Sequence, residues 1–163
     1  MGTDFMFAYG AGMNYSDLRS WLESNGFNSA LVLNRWPAQL DGYEIVWNYY
    51  SRRLAGGMVN IQPKTGSSVF GVLIEFEEQL LKAIDRKEGH PYFYARGDHR
   101  IPVARLADGK AVPAWVYIAQ ANKGGRTDIL PTRDYRKIIL DGATEEKLPE
   151  AYLDTIRSWS TEN

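Results

Sequence analysis

Three groups of residues in this 163-residue chain have the types and spacing to do chemistry. They are the loop Tyr9-Gly10-Ala11-Gly12-Met13, the carboxylate of Glu88 before Gly89, and a high tyrosine content. A β-prone run ending at Tyr9, then Gly-Ala-Gly, then helix-forming sequence turns several backbone N–H groups outward. Such a nest holds an anion, whether carboxylate, phosphate or oxyanion. Small residues let that anion approach the backbone closely. The same sequence also serves as a tight strand-to-helix turn with no ligand. Glu88 ends a helical stretch and precedes Tyr92-Phe93-Tyr94. A carboxylate at the negative end of a helix is electrostatically disfavoured. On an open surface it is a solvated charge. Enclosed by aromatics, it has a raised pKa and becomes a usable proton shuttle. Ten Tyr and five Trp in a chain that is 13% aromatic fit either an aromatic core or a tyrosine-lined pocket.

Other chemistries lack their residues. There is no Cys, hence no thiolate nucleophile, disulfide or cysteine zinc site. His90 and His99 are the only histidines, so no metal is expected. Gly10-Ala11-Gly12-Met13-Asn14-Tyr15 starts like a dinucleotide fingerprint, but Tyr15 stands where the third Gly belongs. Neither a Walker loop nor a G-x-S-x-G elbow is present, so no organic cofactor and no serine nucleophile are expected. Lys123-Gly124-Gly125-Arg126 reads as a solvated loop or a weak anion contact. A net charge of −1 argues against nucleic-acid binding. No apolar run approaches ~18 residues, so no membrane partner is expected. The start of the chain has neither a signal-peptide pattern nor a myristoylation pattern. The expectation is one soluble, cytoplasmic domain over residues 1–163, a monomer or a homodimer.

The elements that must position these groups follow from periodicity and punctuation. Residues 4–9 read as a strand, followed by a helix capped by Asn14 or Ser16 and stopped near Asn25-Gly26. Strands are predicted over 30–36, closed by Pro37, over 43–50, and over 58–62, ended by Pro63. Thr65-Gly66-Ser67 reads as a turn. The apolar run 69–76 reads as a central strand buried on both faces. A helix over 77–87 stops at Gly89. Strand is predicted over 92–105, interrupted near Gly97-Asp98, and again over 111–120, joined by an Asp108-Gly109 hairpin turn. Pro131-Thr132 opens a helix carrying Tyr135, Ile138 and Ile139, and a last helix ends near Trp159. Strands that are mostly consecutive give an α+β fold: a small, curled mixed sheet or barrel of about five to seven strands, with helices packed outside.

In its motifs and their order the chain resembles the γ-glutamylcyclotransferase family, including its butirosin-biosynthesis-type members. The family's Tyr-Gly-Ser-Asn-Leu-like loop is similar to Tyr9-Gly10-Ala11-Gly12-Met13, and its acidic-x-x-Glu-Gly signature to Asp85-Arg86-Lys87-Glu88-Gly89. Further matches are Leu40-Asp41-Gly42-Tyr43, Gly56-Gly57-Met58-Val59-Asn60-Ile61-Gln62-Pro63 and Val69-Phe70-Gly71-Val72-Leu73. Pro131-Thr132-Arg133-Asp134-Tyr135 and Leu148-Pro149-Glu150-Ala151-Tyr152 extend them. The resemblance implies an enzyme that cyclises a small-molecule γ-glutamyl amide to 5-oxoproline and releases the amine, with no cofactor. It implies Glu88 as general acid/base, the loop 9–13 as substrate-binding backbone, and Tyr94, Tyr117 and Tyr135 as pocket tyrosines. The departure falls in the loop. Ala11 and Gly12 stand for the commoner Ser and Asn, so a hydroxyl and an amide are lost while the backbone N–H groups remain. A non-catalytic module of the same fold that binds a small carboxylate is the alternative.

Overall fold

The computed structural model describes residues 2–121 and 125–162. Five strands close into a barrel: β1 (Thr3–Ala8), β2 (Val32–Ser51), β3 (Gly56–Glu77), β5 (Ile101–Arg105) and β6 (Ala111–Val116). Their order is β1-β3-β2-β5-β6, and β1 closes on β6 in parallel through Met6↔Trp115 and Phe7↔Val116. All other barrel pairings are antiparallel. Two short strands, β4 (Tyr94–Ala95) and β7 (Ile118–Ala119), form a separate two-stranded sheet. The helices are α1 (Tyr15–Ser24), α2 (Leu81–Glu88), α3 (Arg133–Glu145) and α4 (Glu150–Ser158). The fold is α+β with a curled mixed barrel, as expected from the sequence. No described helix is long and apolar enough to cross a membrane.

The barrel wall is buried on both faces, since side chains alternate along each strand. Phe7, Leu40, Val69, Val72, Leu73, Phe76, Val103 and Ala114 are fully or almost fully buried. Each large apolar side chain removed from water contributes roughly 1.5–3 kcal/mol. The predicted central strand 69–76 lies within β3, between β1 and β2.

The prolines do not divide the strands as expected. β2 runs through Pro37 and β3 runs through Pro63, so four predicted pieces are two strands of 20 and 22 residues. The carbonyl of Pro37 accepts from Leu106 N–H at 3.0 Å. N and C=O of one strand residue face the same side, so the missing donor faces the end of the short β5 pairing and spares the β3 ladder. Pro63 sits where the register shifts, with residues 64–67 of β3 standing against Gly42 alone. An irregular ladder tolerates an absent N–H. Only the base of this long ribbon belongs to the barrel, since β1 pairs with residues 72–77 and β5 with residues 38–39. Its outer half packs on β7 and on residues 129–130, with Asn60 bonded to Ala119 and Gly57 N–H donating to Leu130 O, and its tip is residues 52–55. The predicted strand 92–105 also shrinks, because residues 89–93 form a turn held by Tyr92 and Phe93 N–H donating to Gly89 O.

Local signals set the helix ends. The Asn14 side chain accepts from Asp17 N–H at 3.0 Å, and Thr132 Oγ1 accepts from Tyr135 N–H at 3.1 Å. Each satisfies a donor that the helix start leaves open. α2 ends at Gly89, whose φ of +71° is the left-handed value that glycine adopts without strain.

Candidate active site

β1 delivers the glycine loop. After Ala8 the chain leaves the sheet, and Ala11–Met13 forms one 3-10 turn. Met13 N–H donates to Gly10 O and Asn14 N–H to Ala11 O, both at 3.0 Å. The N–H groups of Ala11 and Gly12 come before Met13, the first donor of that turn, and so remain open. Met13 departs from the expected nest: its N–H is engaged and its side chain is buried in the core. The loop is pinned from behind by Asn14 Nδ2, which donates to Ile138 O on α3 at 3.1 Å. A Cβ at Gly10 would lie 2.6 Å from Val59 Cγ1, so only glycine lets this turn sit against β3.

The loop opens onto a cleft of about 1500 Å³ that Glu88 also lines, from the opposite element, α2. Tyr9, Gly10, Ala11, Gly12, Tyr94, Tyr117 and Tyr135 line the same cleft. The structure therefore brings together every residue singled out from the sequence except Met13. The loop at 122–124 that contains Lys123 and Gly124 lies outside the described residues.

Glu88 has no hydrogen-bond or ion-pair partner among the described residues. Burial raises its carboxyl above the ordinary range, and only the Lys87 charge opposes this. Its field reaches all four tyrosines. Burial pushes Tyr9, Tyr94, Tyr117 and Tyr135 up, and the Glu88 charge pushes each further. All four phenols are thus neutral near pH 7.

The hydroxyls differ in what they offer. Tyr9 donates to Tyr117 O, Tyr94 donates to Val59 O at 2.6 Å, and Tyr117 donates to Asp85 Oδ1 at 2.6 Å. Those protons are engaged in holding the cleft wall. Tyr135 Oη instead accepts from Val59 N–H at 3.3 Å, which leaves its own proton to give. It stands 3.3 Å from where a Cβ of Gly10 would be, beside the loop.

Sequence reasoning missed the clamp behind this wall. Asp85, read only as the first residue of the acidic signature, accepts from Arg96 Nε and Nη2 at 2.8 and 2.9 Å as well as from Tyr117. Burial alone would raise its carboxyl, but these bonds outweigh it and hold the group below its ordinary value. The Arg96 guanidinium also lies 4.4 Å over the Trp115 ring. No signal of spacing links residues 85, 96 and 117. Among the described residues no group of three or more His, Asp or Glu is gathered to hold a metal ion.

A family model described as gamma-glutamyl cyclotransferase, AIG2-like, matches residues 6–137. A Methanocaldococcus jannaschii protein, provisionally named a gamma-glutamylcyclotransferase, is 34% identical over 70 residues, which cover 43% of this chain and 56% of that relative. A solved structure titled gamma-glutamyl cyclotransferase superposes with a TM-score of 0.82 at 20% identity, covering 99% of this chain and 90% of the other. A human protein described as uncharacterized superposes with a TM-score of 0.81 at 21% identity, covering 100% and 91%. At these identities the two structures establish the shared fold.

Proposed function

The chain belongs to the AIG2-like gamma-glutamyl cyclotransferase family, and on that premise we propose that it converts a γ-glutamyl amide to 5-oxoproline and a free amine, with Glu88 as the proton shuttle. One observation carries the reading: a carboxylate with no partner among the described residues, its pKa raised by burial, lines a cleft that is also lined by a turn with open N–H donors. The substrate supplies its own nucleophile. Glu88 takes a proton from the α-ammonium, whose pKa is near ~8. The freed amine attacks the γ-carbonyl carbon and forms the ring C–N bond. The oxyanion is met by the Ala11 and Gly12 N–H groups and by the unengaged Tyr135 proton. As the original amide C–N bond breaks, Glu88 returns its proton to the leaving amine; the second proton, which the ring nitrogen sheds to become the lactam N–H, follows through the same carboxylate, and the amine departs as an ammonium. No water, metal or enzymic nucleophile enters the balance. Alignment of amine and carbonyl supplies effective molarities of roughly 10⁵–10⁸ M, and proton transfer contributes roughly 10²–10⁴-fold. The whole chain acts as one domain in this reading, since Tyr135 and the bond that pins the loop both come from α3.

The test is incubation of the protein with a panel of γ-glutamyl amides, with 5-oxoproline scored by mass spectrometry for wild type and Glu88→Gln. Release by wild type and its loss in the variant support the reading. Equal release by both would remove Glu88 from the mechanism, and no release from any member would remove the activity.

A further inference from the structure

From the surroundings of Glu88 we infer that the leaving amine is bulky and aromatic or apolar, and that it carries an anionic group. Phe93 and Tyr92 seat its apolar part, and Arg52 and Arg53 meet its charge. The inference rests on the cyclisation reading above and deepens it. In that reading the leaving nitrogen receives its proton from Glu88, so its substituent must emerge beside that carboxylate. The next residue, Gly89, is covered by the Phe93 ring: a Cβ there would lie 2.5–3.1 Å from Phe93 carbons. The left-handed Gly89 turn therefore places an aromatic side chain one residue from the proton donor.

That aromatic is not part of the core. Phe93 is 59% exposed and Tyr92 is 82% exposed, yet both line the cleft. Two neighbouring large aromatics left in water at a cleft mouth lose the burial that usually places them. A flat apolar substituent laid against them restores it. The cleft also exceeds the roughly 300–1,000 Å³ of ordinary small-ligand sites, so it has room for an amine half beyond the γ-glutamyl group.

The charge layout gives the second part. The ribbon tip is set beside this segment by the Tyr49 ring, which meets Tyr94 edge-on at 5.7 Å. The tip carries Arg52 and Arg53, both exposed, both lining the cleft and neither in an ion pair among the described residues. Besides Glu88, the cleft's acids are Asp17 and Asp134, each in the first turn of a helix. The Asp17 field reaches Tyr135. A substrate with its α-ammonium at Glu88 and an anion on its amine half, toward Arg52 and Arg53, matches these charges. A cationic amine half, such as a polyamine, meets the two guanidinium groups and is disfavoured.

The experiment compares kcat/KM on four synthetic substrates: γ-glutamyl-phenylalanine, γ-glutamyl-phenethylamine, γ-glutamyl-alanine and γ-glutamyl-putrescine. The expected order places γ-glutamyl-phenylalanine first and γ-glutamyl-putrescine last. In Phe93→Ser the preference for γ-glutamyl-phenylalanine over γ-glutamyl-alanine falls by up to about tenfold. In the Arg52→Gln, Arg53→Gln double variant the preference for γ-glutamyl-phenylalanine over γ-glutamyl-phenethylamine falls about fivefold, and added salt erodes the wild-type preference in the same way. Turnover of γ-glutamyl-alanine or γ-glutamyl-putrescine as fast as γ-glutamyl-phenylalanine, or ratios unmoved by the variants, overturns the inference and leaves the cyclisation reading standing. If none of the four releases 5-oxoproline, the cyclisation reading itself falls.

Discussion

Asp85 and Glu88 stand three residues apart on the last turn of α2, and their surroundings are opposite. Asp85 accepts two bonds from Arg96 and one from Tyr117, and these hold its carboxyl low in spite of burial. Glu88 accepts none from any described group, and burial pushes its carboxyl up. Same helix turn and same chemistry give an anchor in one case and a proton acceptor in the other. Two things differ: Glu88 is the more deeply buried, and only Asp85 has its lone pairs filled by donors. A carboxylate whose lone pairs are filled favours the charged form and fixes geometry, whereas one left without donors favours the proton. The anchor also serves the acceptor, because Asp85 ties the end of α2 to the Tyr117 wall of the same cleft.

The sharpest way to break this contrast is to exchange the carboxylates for amides. Glu88→Gln is expected to lower kcat/KM by at least ~10²-fold, the lower edge of general acid–base catalysis, without loss of stability. Kinetics on an accepted substrate alongside thermal melting check both parts. Asp85→Asn is expected to act the other way round, lowering unfolding stability at pH 7 by about 1–3 kcal/mol, because Arg96 and the Tyr117 hydroxyl lose their acceptor. Denaturant titration measures it. Since folding lowers the Asp85 pKa, its contribution is present above the unfolded value and is lost as pH falls through the folded one. The variant and the wild type should therefore converge in acid. If Asp85→Asn proves as stable as the wild type, Asp85 is no anchor.

The tyrosines allow the same contrast at smaller scale. Tyr135→Phe removes a proton that no group among the described residues accepts, and should reduce kcat/KM roughly tenfold, the value of a hydrogen bond to developing charge. Tyr94→Phe removes a donor to Val59 O and should cost about 0.5–1.5 kcal/mol of stability, with less than about a threefold change in turnover. Equal kinetic losses would show that engaged and unengaged hydroxyls are equivalent here. The smallest effect concerns Glu88 again. Its raised pKa means that ionisation costs the folded state stability, a cost absent below the ordinary Glu value and growing as pH rises through the raised one. Glu88→Gln should therefore melt ~1–3 °C higher than wild type at pH 8 and at the same temperature as wild type at pH 4. Differential scanning calorimetry at the two pH values reads this directly.

What the sequence determined by itself was local. Asn14 and Thr132 marked their helix starts, Gly89 marked the end of α2 with Glu88 before it, and Asp108-Gly109 marked a hairpin, because caps and turns are satisfied by residues a few positions away. The consecutive apolar strands fixed an α+β class for the same reason, and the order of short motifs carried the family. What only the tertiary structure decided was every partner far along the chain. Pro37 and Pro63 lie inside strands because the ladders beside them have no bond to lose there, a fact of pairing rather than composition. Barrel closure by β1 on β6, the Arg96 clamp on Asp85 and the seat of the Tyr135 hydroxyl against Val59 all depend on contacts between segments that lie apart in the chain. A side chain's type states which bonds it can make, but only the fold states which of them are already made, and at Glu88 and Tyr135 that remainder is what the proposed chemistry uses.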